Sequence, residues 1–366
     1  MSSVWLPCGD YHQDYAEDQG WWQSKVIKGK MILVLAIMFI GLPLLAPDYW
    51  LSVATMVGYT AMGALGVQLL IGYTGLLTLG HTAFIAVGAY TSTLLVLQFP
   101  WPPFIVHWGL AYPISIAVAG IVAGLWSVLF GLPCVKVKGF YLILTTMAAQ
   151  FITVDFILTQ YVSQIGGRGQ AFSLPPGTIK IGPWVVDNDV EVYFLMAILL
   201  SFMVIILANL LRSKVGRAWV AIRDNDIAAE ALGINIVWYK LLAFFVAGFM
   251  AGIAGAFWVS NTAALSPEHF PWFWSLWLVG VILIGGVGSI HGAIFGSIFM
   301  VVIMELLQMV AIPLADYYPK LLIDFAFIKD MAFGLAICAF LIYEPNGLAY
   351  RWWQVKNYFN LWPFSY

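Results

Sequence analysis

The chain has 366 residues, of which 62% are hydrophobic and 9% charged, with a formal net charge of −2. A soluble globular domain carries about a quarter charged residues, so water is excluded as the solvent for most of this surface. The near-neutral balance likewise excludes a charge-driven nucleic-acid partner.

In chain order, residues 1–30 come first, a polar and aromatic stretch with Asp10, Asp14, Glu17 and Asp18. It has no apolar core of its own and reads as a cytoplasmic segment, not a cleaved secretory signal. Apolar runs follow at about 31–47, 51–71, 76–99, 108–132, 139–160, 190–211, 239–262, 273–288, 292–313 and 325–343. A spanning helix needs about 20 mainly apolar residues, and these uniformly apolar runs lack the alternation of barrel strands. The expected fold is therefore all-α: a polytopic membrane helix bundle of about ten transmembrane helices filling residues 31–345. Residues 346–366 form an aromatic tail.

Lys and Arg set the orientation, because basic loops stay in the cytoplasm. They cluster at Lys25, Lys28 and Lys30, at Lys136 and Lys138, at Arg212, Lys214, Arg217 and Arg223, and at Arg351 and Lys356. With an even number of spans and a cytoplasmic N-terminus, every cluster lies on one side and the tail is cytoplasmic too. Lys320 and Lys329 are the exceptions. Trp272, Trp274, Trp352 and Trp353 lie near span ends and read as interfacial anchors, with a ligand-binding aromatic cage as the alternative. Cys8, Cys134 and Cys338 are isolated, without metal-site or disulfide spacing. Asp155 and Glu305 are costly at membrane depth, so they are expected to face the bundle interior or lie near an interface.

Two apolar regions are interrupted in related ways. The first reads Gly72-Tyr73-Thr74-Gly75-Leu76-Leu77-Thr78-Leu79-Gly80-His81, the second Gly285-Gly286-Val287-Gly288-Ser289-Ile290-His291-Gly292. Broken backbone at membrane depth is tolerated only where protein buries it or where it lines a wet cavity, and paired interruptions point to a translocation path. Gly72, Tyr73, Thr74, Gly75, Thr78, Gly80, His81, Gly285, Gly286, Gly288 and Ser289 are the candidates. Path-lining and close helix packing both remain open for these glycines.

The longest basic linker, 212–238, holds a short helix from Asp226, with Asp226 as its expected cap and Gly233 as its terminator. Ile227, Ala231 and Ile234 recur at helical spacing, an exposed turn suited to a groove on another protein. Here a resemblance enters. Ala228-Ala229-Glu230-Ala231-Leu232-Gly233 is similar to the coupling loop of ABC-importer permeases. Together with Gly216-Arg217-Ala218 and Ala221-Ile222-Arg223-Asp224-Asn225, it resembles the LivM type of branched-chain amino acid permease. Lys136-Val137-Lys138-Gly139, Gly166-Gly167-Arg168-Gly169, Lys240 and Ala251-Gly252-Ile253-Ala254-Gly255 follow the family's order, as do both glycine windows, over about residues 50–345.

The resemblance implies an importer subunit that pairs with a LivH-like permease, two LivG/LivF-like ATPases and an extracellular or periplasmic solute-binding protein in the inner membrane. It assigns Arg217, Arg223, Asp224, Asp226, Ala228, Ala229, Glu230 and Gly233 to coupling, and Gly166, Gly167, Arg168 and Gly169 to the outer entrance. Branched-chain amino acids are the family default; similar permeases carry urea, amides or aromatic acids. The chain has no Gly-x-x-x-x-Gly-Lys-Ser/Thr loop, so ATP and Mg belong to the partner ATPases and no cofactor to this chain. An ion-coupled carrier would need intramembrane carboxylates, and Asp155 and Glu305 are thin evidence for such coupling. An embedded enzyme is disfavoured because the histidines show no metal-ligand spacing.

Overall fold

The computed structural model describes residues 25–135, 137, 139–162, 172–173, 179–182, 184–186, 188–262, 264–315 and 325–361. Every predicted apolar run contains a helix, as lipid requires when no water is present to satisfy the backbone. Helix α1 joins Lys25–Ala36, Ile37–Gly41 and Leu42–Leu45. Helix α2, Asp48–Val67, runs on through a widened π-helical stretch, Gln68–Tyr73. Then come α3 (His81–Leu97), α4 (Pro103–His107), α5 (Ala111–Val135), and α6 (Phe140–Phe151, extended by Ile152–Val162). Next are α7 (Asp189–Arg212), α8 (Lys214–Asp224), α9 (Asp226–Ala231) and α10 (Ile236–Thr262). The chain closes with α11 (Trp272–Gly285), α12 (Ile290–Ala315), α13 (Phe325–Tyr343) and α14 (Gly347–Leu361).

Among the described residues, 7 helical stretches are long and apolar enough to cross a membrane: Asp48–Tyr73, Ala111–Val135, Phe140–Val162, Asp189–Arg212, Ile236–Thr262, Pro267–Gly285 and Ile290–Pro313. The described residues are mostly helical, as expected, and short strands accompany the helices. β1 (Phe172–Ser173) pairs antiparallel with β4 (Ala264–Leu265), and β2 (Lys180–Ile181) pairs with β3 (Trp184–Val185). These short pairs tie linkers together at the end of the bundle opposite the basic one, where no helix supplies backbone partners.

The centre is α10, packed on α5, α3 and α2. In the apolar stretch of α10, 78% of residues are buried within the protein and in α2 72%, against 28% in α7 and 33% in α12. The inner helices therefore satisfy one another, while α7 and α12 face outward. Small residues permit the approach: a side chain on Gly88 would strike the backbone of Gly252, and one on Gly252 would lie 2.9 Å from Gly120 Cα. Without hydrophobic drive between helices in lipid, such close packing and interhelical hydrogen bonds hold the bundle. Ser127 Oγ, donating to Phe244 O at 2.6 Å, is one of those bonds.

The polar residues expected to be costly lie at edges. Glu305 Oε2 accepts from Tyr49 Oη at 2.9 Å near the start of α2. Asp155 is exposed. Lys329 Nζ donates to Gln308 Oε1 at 3.0 Å and lies 4.9 Å from the Phe325 ring.

Candidate functional site

The two glycine interruptions meet at the end of the bundle that carries Arg212, Lys214, Arg217 and Arg223. Gly72 lies in the last turn of the extended α2, and a side chain there would sit 2.6 Å from Gly288 N. No residue larger than glycine fits at position 72 without a shift of these backbones. One amide joins them further: Gln68 Nε2 donates to Gly286 O at 3.0 Å and to Ser289 O at 2.8 Å. Gly286 and Gly288 have φ of +114° and +84°, the region that side chains resist. The start of α14 closes the far side, where a Gly286 side chain would meet Asn346 O at 3.0 Å.

Arg223, last but one in α8, reaches into this junction. Its Nη1 donates to Gly72 O at 2.9 Å, and its Cγ lies 3.1 Å from where a Gly75 side chain would begin. Its Nε and Nη2 donate to Asp224 Oδ1 at 3.0 and 2.9 Å. Helix α8 is fixed by Trp219, which is wholly buried and donates from Nε1 to Tyr239 O at 2.9 Å. Arg217 is exposed and donates to Arg212 O.

Helix α9 projects beyond this base. Its cap is Asn225, whose Oδ1 accepts from Ala228 N at 3.1 Å, and Asp226 is the first helical residue, not the cap as expected. The backbone decides this, since the capping residue must itself be extended, as Asn225 is at φ −160° and ψ 107°. Gly233, at φ +84°, ends the helix as expected, with its N–H on Glu230 O and that of Ile234 on Ala229 O. Of the expected exposed turn, Ile227 and Ala231 face outward and Ile234 is half-buried. Ala229 is the buried contact, while Ile227 and Leu232 are 73% and 82% exposed. Ala228, Glu230 and Ala231 also face outward.

The first interruption continues upward instead of ending at the junction. Residues 75–80 are non-helical and rise into the bundle, so α3 starts at depth, later than the apolar run 76–99 predicted. Hydroxyls replace the missing helical partners: Leu79 N donates to Thr146 Oγ1 at 3.1 Å, and Thr82 N to Ser275 Oγ at 3.0 Å. Thr74 Oγ1 donates to Leu70 O at 2.6 Å. Thr78 is buried, and Gly80 packs on the carbonyl of Thr146. His81 is wholly buried beside Gly66 and edge-on to Phe84. Tyr73 is half-buried, and Gly285 packs on the carbonyl of Gly292. Gly166, Gly167, Arg168 and Gly169 lie outside the described residues, as do Lys136 and Lys138.

Above His81 lies a cleft lined by Tyr59, Thr60, Ile85, Trp258, Trp274 and Trp277. Trp274 stands 5.9 Å from Trp258 and 6.3 Å from Tyr59 between ring centroids. It therefore belongs to an aromatic box and not only to an interfacial belt. An aromatic cage is the alternative reading of the span-end aromatics, but the sequence does not show which residues build this cleft, because its members come from α2, α3, α10 and α11. Sequence reasoning also left Gln68 unassigned, though a lone amide in an apolar span was the available signal.

Residues 49–328 match the family described as "Branched-chain amino acid transport system / permease component". The chain is 26% identical to the high-affinity branched-chain amino acid transport system permease protein LivM of Escherichia coli, over 89% of this chain and 76% of that protein. It is 24% identical to the probable LivM of Methanocaldococcus jannaschii, over 82% and 85%. It is also 24% identical to the autoinducer 2 import system permease protein LsrC of Escherichia coli, over 86% and 85%. No solved structure matches the chain.

Proposed function

The chain belongs to this family of transport permeases, and from that premise we propose that it moves branched-chain or other hydrophobic amino acids by alternating access. It is a multi-pass inner-membrane permease subunit of an ABC importer. Its proposed partners are a LivH-like permease, two LivG/LivF-like ATPases that bind ATP and Mg, and a solute-binding protein outside. In this reading the bundle crosses the membrane ten times, with residues 1–30, 212–238 and 346–366 in the cytoplasm.

The observation that carries it is α9. A short helix leaves Ile227 and Leu232 outward while Trp219 and Arg223 root its base in the bundle. An exposed apolar turn on a rigid base suits insertion into a groove of a motor subunit, and rigid-body rocking would carry its motion to the helices. The aromatic cleft supports an apolar solute, since Ile85, Trp258, Trp274, Trp277 and Leu278 line it and no charged group does.

The test is uptake by the reconstituted complex with Glu230→Ala or Gly233→Ala. ATP-driven uptake is expected to fall on the order of tenfold or more, as for a hot-spot contact, with insertion intact. Parent-like uptake in both variants would count against the motor-docking role. Parent uptake that persists without ATP and stops when ion gradients collapse would replace it with a carrier.

A further inference from the structure

Arg223 stands among the residues that the resemblance assigns to the motor surface, yet its guanidinium points the other way. One nitrogen is on Gly72 O at 2.9 Å, and the same Nη1 lies 3.4 Å from where a Gly288 side chain would begin. The other two grip Asp224 Oδ1, immediately before Asn225, the cap of α9. The side chain thus bridges the root of α9 and the contact between both glycine interruptions.

Those interruptions form one mechanical body at this point. Gly72 and Gly288 touch backbone to backbone, and Gln68 of the first holds two carbonyls of the second. A displacement applied to Gly72 O is therefore delivered to α11, α12 and α2 together. Glycine breaks are where helices change direction at low cost, and hinge residues absorb such motion.

We propose that Arg223 is a positioning residue that transmits displacement of α9 to both glycine interruptions at once, and that it acts inward on the permease instead of outward on the motor. This rests on the reading of α9 as the motor's docking helix. The fork geometry of Arg matters, because a lysine point charge can reach Gly72 O but cannot also hold Asp224 through two nitrogens.

The experiment uses the full complex in proteoliposomes, comparing the parent with Arg223→Gln and Arg223→Lys. Bound ATPase subunits, ATP hydrolysis, uptake and the mobility of spin labels at Lys214 and Val287 are measured. Both label positions are exposed. In Arg223→Gln, the ATPases stay bound and hydrolyse ATP, while uptake per ATP falls about tenfold or more, as for loss of a charge-assisted hydrogen bond. Arg223→Lys falls between the two. On vanadate trapping the Lys214 label responds in all three proteins, but the Val287 label responds only weakly in Arg223→Gln.

Loss of the ATPases from Arg223→Gln would place Arg223 on the motor surface and overturn the proposal. So would unchanged uptake per ATP, or a parent-like Val287 response in that variant. Should Arg223→Gln fail to insert, Arg223→Lys decides: parent-like uptake per ATP overturns the proposal, and reduced uptake with the motor bound supports it. A parent complex without ATP-driven uptake would instead sink the underlying reading of α9.

Discussion

The two glycine interruptions solve one problem by different means. At 75–80 the backbone leaves the helix, and hydroxyls of neighbours serve the break and the restart of α3, Thr146 of α6 accepting from Leu79 N and Ser275 of α11 from Thr82 N. At 286–289 the turn is tight, two glycines take positive φ, and a single amide from α2 donates to both Gly286 O and Ser289 O, the latter also accepting from Gly292 N. The first break is thus distributed over several helices, and the second is tied to α2 by one side chain, the only side-chain donor that reaches Gly286 O among the described residues. In lipid an unpaired backbone group has no water to fall back on, so the second break is the more fragile.

The sharpest way to expose that difference is Gln68→Leu. It leaves Gly286 O without its side-chain donor, while Ser289 O keeps Gly292 N at 3.0 Å, and should cost about 1–3 kcal/mol, read as a lowered unfolding midpoint in detergent. Thr146→Val, its counterpart in the distributed break, removes one partner and should cost about 1–2 kcal/mol. An equal loss in both would erase the distinction.

Next comes the contact between the breaks. Gly72→Ala puts a methyl 2.6 Å from Gly288 N, an overpacking cost of about 1–3 kcal/mol. Gly288→Ala has ordinary space at 3.4 Å and carries only the positive-φ cost, about 1 kcal/mol. Thermal unfolding of the two variants should therefore rank Gly72→Ala as the more damaged. The reverse order would mean that conformation, not space, governs the junction.

Much of the site was legible before the fold. Glycine pairs flanked by apolar runs marked both interruptions, and the Ala-Ala-Glu-Ala-Leu-Gly stretch marked α9, with Gly233 as its stop. The cap was misread because Asn225 and Asp226 are both competent side chains, and only the extended backbone at Asn225 chooses between them. Ala229 was overlooked as the buried contact because spacing within a helix of six residues defines no clear face. The aromatic cleft was illegible, since a tryptophan near a span end reads the same whether it meets lipid or another ring.

What the amino-acid sequence alone determined was local or additive: apolar length sufficient for helices in lipid, basic linkers gathered at alternate turns, and glycines where the backbone must bend. What only the tertiary structure decided was which of these meet. Gln68 and Gly286 are separated by 218 positions, and Arg223 and Gly72 by 151. Such pairings depend on how helices of similar apolar character pack, and hydrophobicity, being non-directional, does not encode that choice.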